Sequence, residues 1–262
     1  MQKITSSNNP LIKEIKSLER RKNRWDGSKF IIEGIKLIEE ALESKASLLR
    51  IILTDSLKNT EQGEMLYNRI KNLNEIVYLP QTLFDTISNV ENSQGIIGIV
   101  AFNPLGLELL PSDGLILYLD GLQDPGNMGT IIRSADAFGI RGIVIGNKCV
   151  DPYNPKVVRA TMGSIFRVSL YFEKNHAGYF EDIFRERRII ATSLKDATSL
   201  NDLKFSCKDV IVVGNEGNGV SFDIIERSDV RVIIPMKGDA ESLNAGVAAS
   251  ILMYESSRQM IK

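Results

Sequence analysis

At 262 residues the chain is long enough for two domains of ordinary size or one large one. With 43% hydrophobic and 25% charged residues, 20 glycines and 8 prolines, it is not a disordered chain, a collagen-like repeat or a disulfide scaffold. The 32 Lys and Arg against 33 Asp and Glu leave a net charge of −1, so a basic surface that meets a polyanion has to be local.

The chain opens on a helical pattern from Pro10 to about Arg24, with Leu11, Ile15 and Leu18 inward. A strand at FIIEG (30–34), a helix to Ser44, a strand at LLRIIL (48–53), a helix from Glu64 to Leu73 and a closing strand at IIGIVAF (96–102) complete a small α/β unit. The Pro- and Gly-bearing stretch NPLGLELLPSDG marks a boundary. The expected organisation is a domain over 1–103, a linker over 104–113 and a second domain over 114–262 that folds on its own.

Beyond the linker LILYL (115–119), GIVIG (142–146), RIIAT (188–192), VIVVG (210–214) and VRVIIP (230–235) read as strands apolar on both faces. Helical patterns alternate with them, at Met128 to Phe138, Asn154 to Met162, Gly178 to Glu186 and Leu243 to Gln259. That alternation predicts a mostly parallel sheet covered by helices, with a ligand beyond the carboxyl ends of the strands. Four of those ends carry unusual loops: DGLQDPGN, TSLKD, GNEGNG and PMKGDAESLN.

Several chemistries start badly. Cys149 and Cys207 form no C-x-x-C pair and are expected to be buried and reduced; His176, the one histidine, stands alone as a solvated residue. No metal site and no Ser-His-Asp hydrolase is expected. No apolar run reaches the roughly 18–20 residues of a membrane span, and the start lacks a secretory h-region, so the expectation is a soluble, cytoplasmic protein.

Three segments remain that could carry chemistry. In GNEGNG, Gly214, Gly217 and Gly219 have neither dinucleotide-binding nor Walker A spacing, but they allow close backbone approach to a flat ligand, and Glu216 is fixed among them. In DPGNMGTIIRSADAFG, Asn127 sits where an N-cap is expected, and Arg133 lies off the inward stripe beside Thr130 and Ala137. The third, Glu241-Ser242-Leu243-Asn244, reads as a helix start with Ser242 as N-cap. Each alone has an ordinary structural explanation.

Together, N-x-G-x-x-x-R-[ST]-A from Asn127, G-N-E-G-x-G-[VM]-S from Gly214 and I-P-M-x-G-x-x-x-S-L-N from Ile234 resemble the SpoU–TrmH family. These are S-adenosylmethionine-dependent RNA 2′-O-ribose methyltransferases of the SPOUT superfamily. ATMGSIFRV (160–168) resembles the family's segment between the first two motifs. The first part, with SSNNPLIKEIKSL and IEGIKLIEEAL, is similar to the ribosomal-protein-like α/β domain carried by rRNA members. The resemblance implies a carboxyl-terminal α/β domain with a parallel sheet and a deep trefoil knot, an exception to the rule against knots. It also implies a homodimer whose sites are shared between subunits. Carried over by position, the donor S-adenosylmethionine is held by Thr192, Ser193, Gly214, Glu216, Gly217, Gly219, Ile234, Met236, Ser242, Leu243 and Asn244. Arg133 is the catalytic arginine, either as a base or as a charge that binds RNA phosphate and stabilises a 2′-oxyanion. Asn127 and Glu216 are expected to hold that arginine or the ribose, and Asn244 the 2′-hydroxyl.

RNA contact is expected from the amino-terminal 30 residues, where eight Lys and Arg face three Asp and Glu. Within that stretch Arg20, Arg21, Lys22 and Arg24 form the densest basic run, and Trp25 offers a stacking face. The function implied is 2′-O-methylation of RNA, with 23S ribosomal RNA favoured. The alternatives are a tRNA 2′-O-methyltransferase and a non-catalytic RNA- or ribosome-binding protein of the same fold; a dinucleotide-dependent enzyme is disfavoured by the glycine spacing.

Overall fold

In the computed structural model, which describes residues 2–173 and 184–260, the chain divides into two compact units. The first holds the chain up to Asn103 together with Tyr153–Phe166; the second holds Pro104–Pro152 and the chain from Arg167 onward.

The first unit is a five-stranded mixed sheet of β1 (Gln2–Lys3), β2 (Lys29–Glu33), β3 (Leu48–Leu53), β4 (Ile76–Tyr78) and β5 (Ile96–Ala101), in the order β1-β4-β3-β5-β2. The last strand is central rather than closing, since β5 runs antiparallel to both β2 and β3. The helix expected from Pro10 to Arg24 is two helices, α1 (Pro10–Ser17) and α2 (Arg21–Gly27), with Arg20 extended between them. The break has a local cause. Arg24 Nη1 donates to the carbonyls of Leu18 and Glu19, both at 2.8 Å, and Asn23 Nδ2 donates to Ser17 O at 2.8 Å. These side chains satisfy carbonyls at the end of α1, which a continued helix would have bonded itself. Apolar residues such as Ile12, Ile15 and Leu18 then pack on Ile52, Val77 and Phe84. Helices α3 (Ile35–Glu43), α4 (Glu61–Ile70) and α5 (Gln81–Phe84) complete the helices of this stretch.

The second unit is an eight-stranded sheet in which every pairing is parallel. Its chain runs β6 (Leu105–Gly106), β7 (Ile116–Leu119), α6 (Pro125–Ala137) and β8 (Gly142–Ile145) before leaving for the first unit. There the helix α7 (Pro155–Ala160) packs on β2, and Tyr153 stacks on Phe102 with ring centroids 3.8 Å apart. The chain then returns as β9 (Leu170–Phe172), β10 (Arg188–Thr192), β11 (Thr198–Ser199), β12 (Asp209–Val213), α8 (Phe222–Arg227), β13 (Val230–Ile233) and α9 (Ala245–Met260). His176, and the helix expected from Gly178 as far as residue 183, lie outside the described residues.

The strand order β11-β13-β10-β12-β7-β8-β9-β6 makes β13, β10, β12 and β7 neighbours. Since all four run the same way, the four unusual loops emerge side by side at one edge. This is the crevice position expected of a parallel sheet. Helix α9 returns to pack along α6, where Ser134 and Ser250 share a hydrogen bond of 2.8 Å and Phe138 meets Tyr254 edge-on at 5.8 Å. Gly246 permits the approach: a Cβ there would stand 3.3 Å from both Asn127 Oδ1 and Thr130 Cβ.

Candidate active site

The loop after β12 is built by its own backbone. Asn215 and Gly219 exchange two backbone hydrogen bonds of 2.9 Å, and Asn215 Oδ1 accepts from the N–H groups of Gly217 and Asn218. A Cβ on Gly214 would stand 2.0 Å from the Gly219 carbonyl carbon, so this glycine is required by the turn itself. Gly217 and Gly219 differ. A Cβ on Gly219 (φ 69°) would meet nothing within 4 Å, and one on Gly217 only Asn215 Oδ1 at 3.5 Å. Both therefore border open space that a ligand can enter.

Glu216 ties this loop to the one after β7. Its Oε1 accepts from Asp124 N at 2.9 Å and Asn127 Nδ2 at 3.1 Å, and its Oε2 accepts from Gln123 N at 3.2 Å. Partial burial pushes the carboxyl up, but the donors from Asn127, Asp124 and Gln123 outweigh it and hold it below the ordinary carboxylate range. The clamp is thus complete above the ordinary carboxylate pKa and loosens only as pH falls through the lowered value. Asn215 Nδ2 reinforces it on Gly121 O at 2.9 Å, and Asp120 Oδ2 accepts from Ser221 N at 2.7 Å. Asp120 and Asn215 carry no motif of their own; the signal available was a carboxylate directly after β7 and an amide separated from the end of β12 only by Gly214.

Several assignments change. Asn127 is not the N-cap of α6; Asp124 is, accepting from Asn127 N at 2.7 Å, while Asn127 is buried with its amide on Glu216. Ser242 is exposed and not the cap of the last helix, which starts at Ala245. Asn244 provides the cap, its Oδ1 accepting from Val247 N at 3.2 Å and its O from Ala248 N at 2.9 Å. Asn244 Oδ1 and Asn127 Oδ1 both come within 3.3 Å of the point a Gly246 Cβ would occupy, so the first and third motifs converge there. Ser193 spends its hydroxyl on its own loop, donating to Lys195 O and accepting from Lys195 N. Thr192, Ile234, Met236 and Leu243 are half-buried around the same edge. Leu194, on the loop after β10, and Phe222, the first residue of α8, are apolar side chains 63% and 75% exposed.

The structure does not join Glu216 or Asn127 to Arg133. Arg133 is exposed and makes no hydrogen bond or ion pair among the described residues. Six positions along α6 turn a side chain by about 120° and move it about 9 Å from Asn127. Asn127, Glu216 and Asn244 gather on one side of α6, and Arg133 stands on another.

In the first unit Arg24 is corrected: it is 2% exposed and spent on the end of α1, so it is no RNA contact. Arg20, Arg21 and Lys22 are exposed. The Trp25 ring is packed edge-on against Phe102 and Tyr153, with the Arg21 guanidinium 5.8 Å from its centroid, which removes it as a stacking surface. Cys149 is buried, its thiol pushed up to about 11 by that burial. Cys207 is exposed rather than buried, and a hydrogen bond with Asp113 raises its pKa as well, so neither thiol is poised as a nucleophile. Among the described residues no group of His, Cys, Asp or Glu is placed to hold a metal ion, and no helix is long and apolar enough to cross a membrane.

The family profile described as the SpoU rRNA Methylase family matches residues 114–254, and the one described as the MRM3-like substrate binding domain matches 9–98. The chain belongs to the SpoU rRNA methylase family. It is similar to the 23S rRNA (guanosine(2553)-2′-O)-methyltransferase RlmP of Bacillus subtilis (strain 168), with 32% identity over 97% of this chain and 98% of that protein. Among solved structures it resembles the AdoMet-bound rRNA methyltransferase from Sinorhizobium meliloti, with a TM-score of 0.86, 28% identity and coverage of 100% of this chain and 99% of that one. The SpoU methyltransferase AviRb from Streptomyces viridochromogenes, in complex with AdoMet, gives a TM-score of 0.85 at 25% identity over 96% of this chain and 98% of that one. The chain is accordingly a methyltransferase of the SPOUT α/β fold with a separate amino-terminal domain.

Proposed function

We propose that this protein methylates a ribose 2′-hydroxyl of 23S ribosomal RNA, with S-adenosylmethionine as donor. The observation that carries the reading is the side-by-side emergence of the four loops at one sheet edge, with Gly217 and Gly219 open to a ligand. Full-length similarity to RlmP, across both units, supports 23S rRNA over tRNA. Bound there, S-adenosylmethionine supplies a methyl group already activated on a sulfonium. The chain's residues then have two tasks, to align the ribose oxygen and to ease loss of its proton.

Gly217, Gly219, Thr192, Ile234, Met236 and Leu243 line the donor side, while Gly214, Glu216, Ser193 and Asn244 hold the loops that present them. Ser242 is exposed at the same edge. Arg133 carries a fixed positive charge that meets RNA phosphate and stabilises the developing 2′-oxyanion. Gly217→Val tests the pocket cleanly, because its Cβ meets only Asn215 Oδ1 and the loop keeps its hydrogen bonds. The expected result, by calorimetric titration, is a donor affinity lower by about ten- to a hundredfold with unchanged melting temperature. Normal binding would put the donor elsewhere.

The active species is a homodimer. Its support is the exposed, unpaired Arg133, turned away from its own subunit's loops, and a face of α9 on which Val247 and Tyr254 are 46% and 53% exposed. A partner's donor pocket would complete the site. The segment from β13 through α9 is the knotted part of the chain, a reading supported by the return of α9 to α6. The enzyme works in the cytoplasm, on ribosomal RNA. Its first unit reads the RNA, with Arg20, Arg21 and Lys22 at the phosphates. Changing these three to Gln, with Arg24 kept for its structural role, should weaken RNA binding and reduce the slope of log K against log salt by about 2–3. An unchanged slope would make the run a solvated face.

A further inference from the structure

Arg133 and Asp136 lie three positions apart on α6, the spacing at which a helix brings opposite charges within reach of each other. They do not pair. The Asp136 carboxylate is held instead by Arg167, whose Nε and Nη2 both stand 2.9 Å from Asp136 Oδ2. Arg133 is left without a partner among the described residues, the condition a group needs if it is to meet a phosphate or an oxyanion. Two guanidiniums are available to one carboxylate, and the one that takes it comes from outside the helix.

We propose that Arg167 is a positioning residue, which occupies the Asp136 carboxylate and thereby keeps Arg133 free for the RNA. This rests on the role given to Arg133 above. Without Arg167, Asp136 can draw Arg133 into a pair along the helix and away from the incoming phosphate. Arg167 directly follows the Tyr153–Phe166 excursion into the first unit. The element that sets the state of the catalytic helix therefore continues in sequence from the substrate-binding unit.

The experiment compares Arg167→Gln, Asp136→Asn, the double variant and Arg133→Ala, with an unmodified 23S rRNA transcript and labelled donor. Arg167→Gln is expected to lower kcat/KM for the transcript about three- to tenfold, with donor Kd and melting temperature unchanged. Asp136→Asn removes the competing charge, so the double variant should return to within about twofold of wild type. A merely structural ion pair predicts the reverse, since deleting both partners would restore nothing lost by deleting one. Full activity in Arg167→Gln, or a loss that Asp136→Asn leaves in place, overturns the role of Arg167. If the wild type is active and Arg133→Ala is not, that failure belongs to Arg167 alone; an inactive wild type overturns the proposed function and this role with it.

Discussion

Replacing Arg133 with alanine is expected to lower methyl transfer by about 10²–10³-fold, the usual consequence of losing a preorganised charge at a developing oxyanion. Donor affinity should stay within about twofold of wild type, because Arg133 bonds to neither the Gly214–Gly219 loop nor Asn244 of its own subunit. Single-turnover transfer and calorimetric donor binding, measured on the same preparation, separate the two effects. The shared site adds a sharper expectation. At a donor concentration near the wild-type Kd, subunits carrying Arg133→Ala and subunits carrying Gly217→Val are each strongly impaired, yet a mixed dimer has one site with an intact arginine and an intact pocket. Mixing should therefore recover activity, to at most half the wild-type level per dimer. Recovery absent from demonstrably mixed dimers would return the arginine to its own subunit's pocket.

Deleting residues 1–103 is expected to abolish the folded state of what remains rather than release a working catalytic domain. The motifs all lie after the linker, and from sequence alone the second domain looks separable. The structure gives a reason to expect otherwise. Tyr153, Val157, Val158 and Ile165 belong to the first unit and are each 7% exposed or less, and Tyr153 packs on Phe30 and Phe102. Stripped of those partners, four large side chains face water at about 1.5–3 kcal/mol each. That is comparable to the whole stability of an ordinary domain, about 5–15 kcal/mol. Far-UV circular dichroism, dye binding and size-exclusion chromatography should report a molten or aggregated product. A monodisperse fragment that still binds the donor would show that Tyr153–Phe166 tolerates exposure.

What could be read in the sequence followed from local pattern. The doubly apolar runs became β7, β8, β10, β12 and β13 to within a residue or two, because a strand buried on both faces has little choice of composition. Strands of two or three residues such as β6, β9 and β11 carry too little pattern to be seen, and only their neighbours define them. The break between α1 and α2 was hidden because Arg24 looks like one more surface cation, yet its guanidinium is a helix end's hydrogen-bond partner. At the site, residue types were legible and their partners were not. Glu216 was visible as an odd carboxylate in a glycine turn, but its bonds to Asp124 and Asn127 cross about ninety residues of chain. The excursion of Tyr153–Phe166 is non-local in the same sense, as is the choice of Arg167 over Arg133 by Asp136.

The most direct test is transfer of labelled methyl from S-adenosylmethionine by the purified full-length protein, offered unmodified 23S rRNA and unmodified tRNA side by side, followed by mapping of ribose methylation. The account predicts incorporation into 23S rRNA at one nucleotide, on the 2′-oxygen, with none into tRNA and none by Arg133→Ala. Transfer to tRNA alone, methylation of a base rather than a ribose, or no transfer by a protein that binds the donor would contradict it.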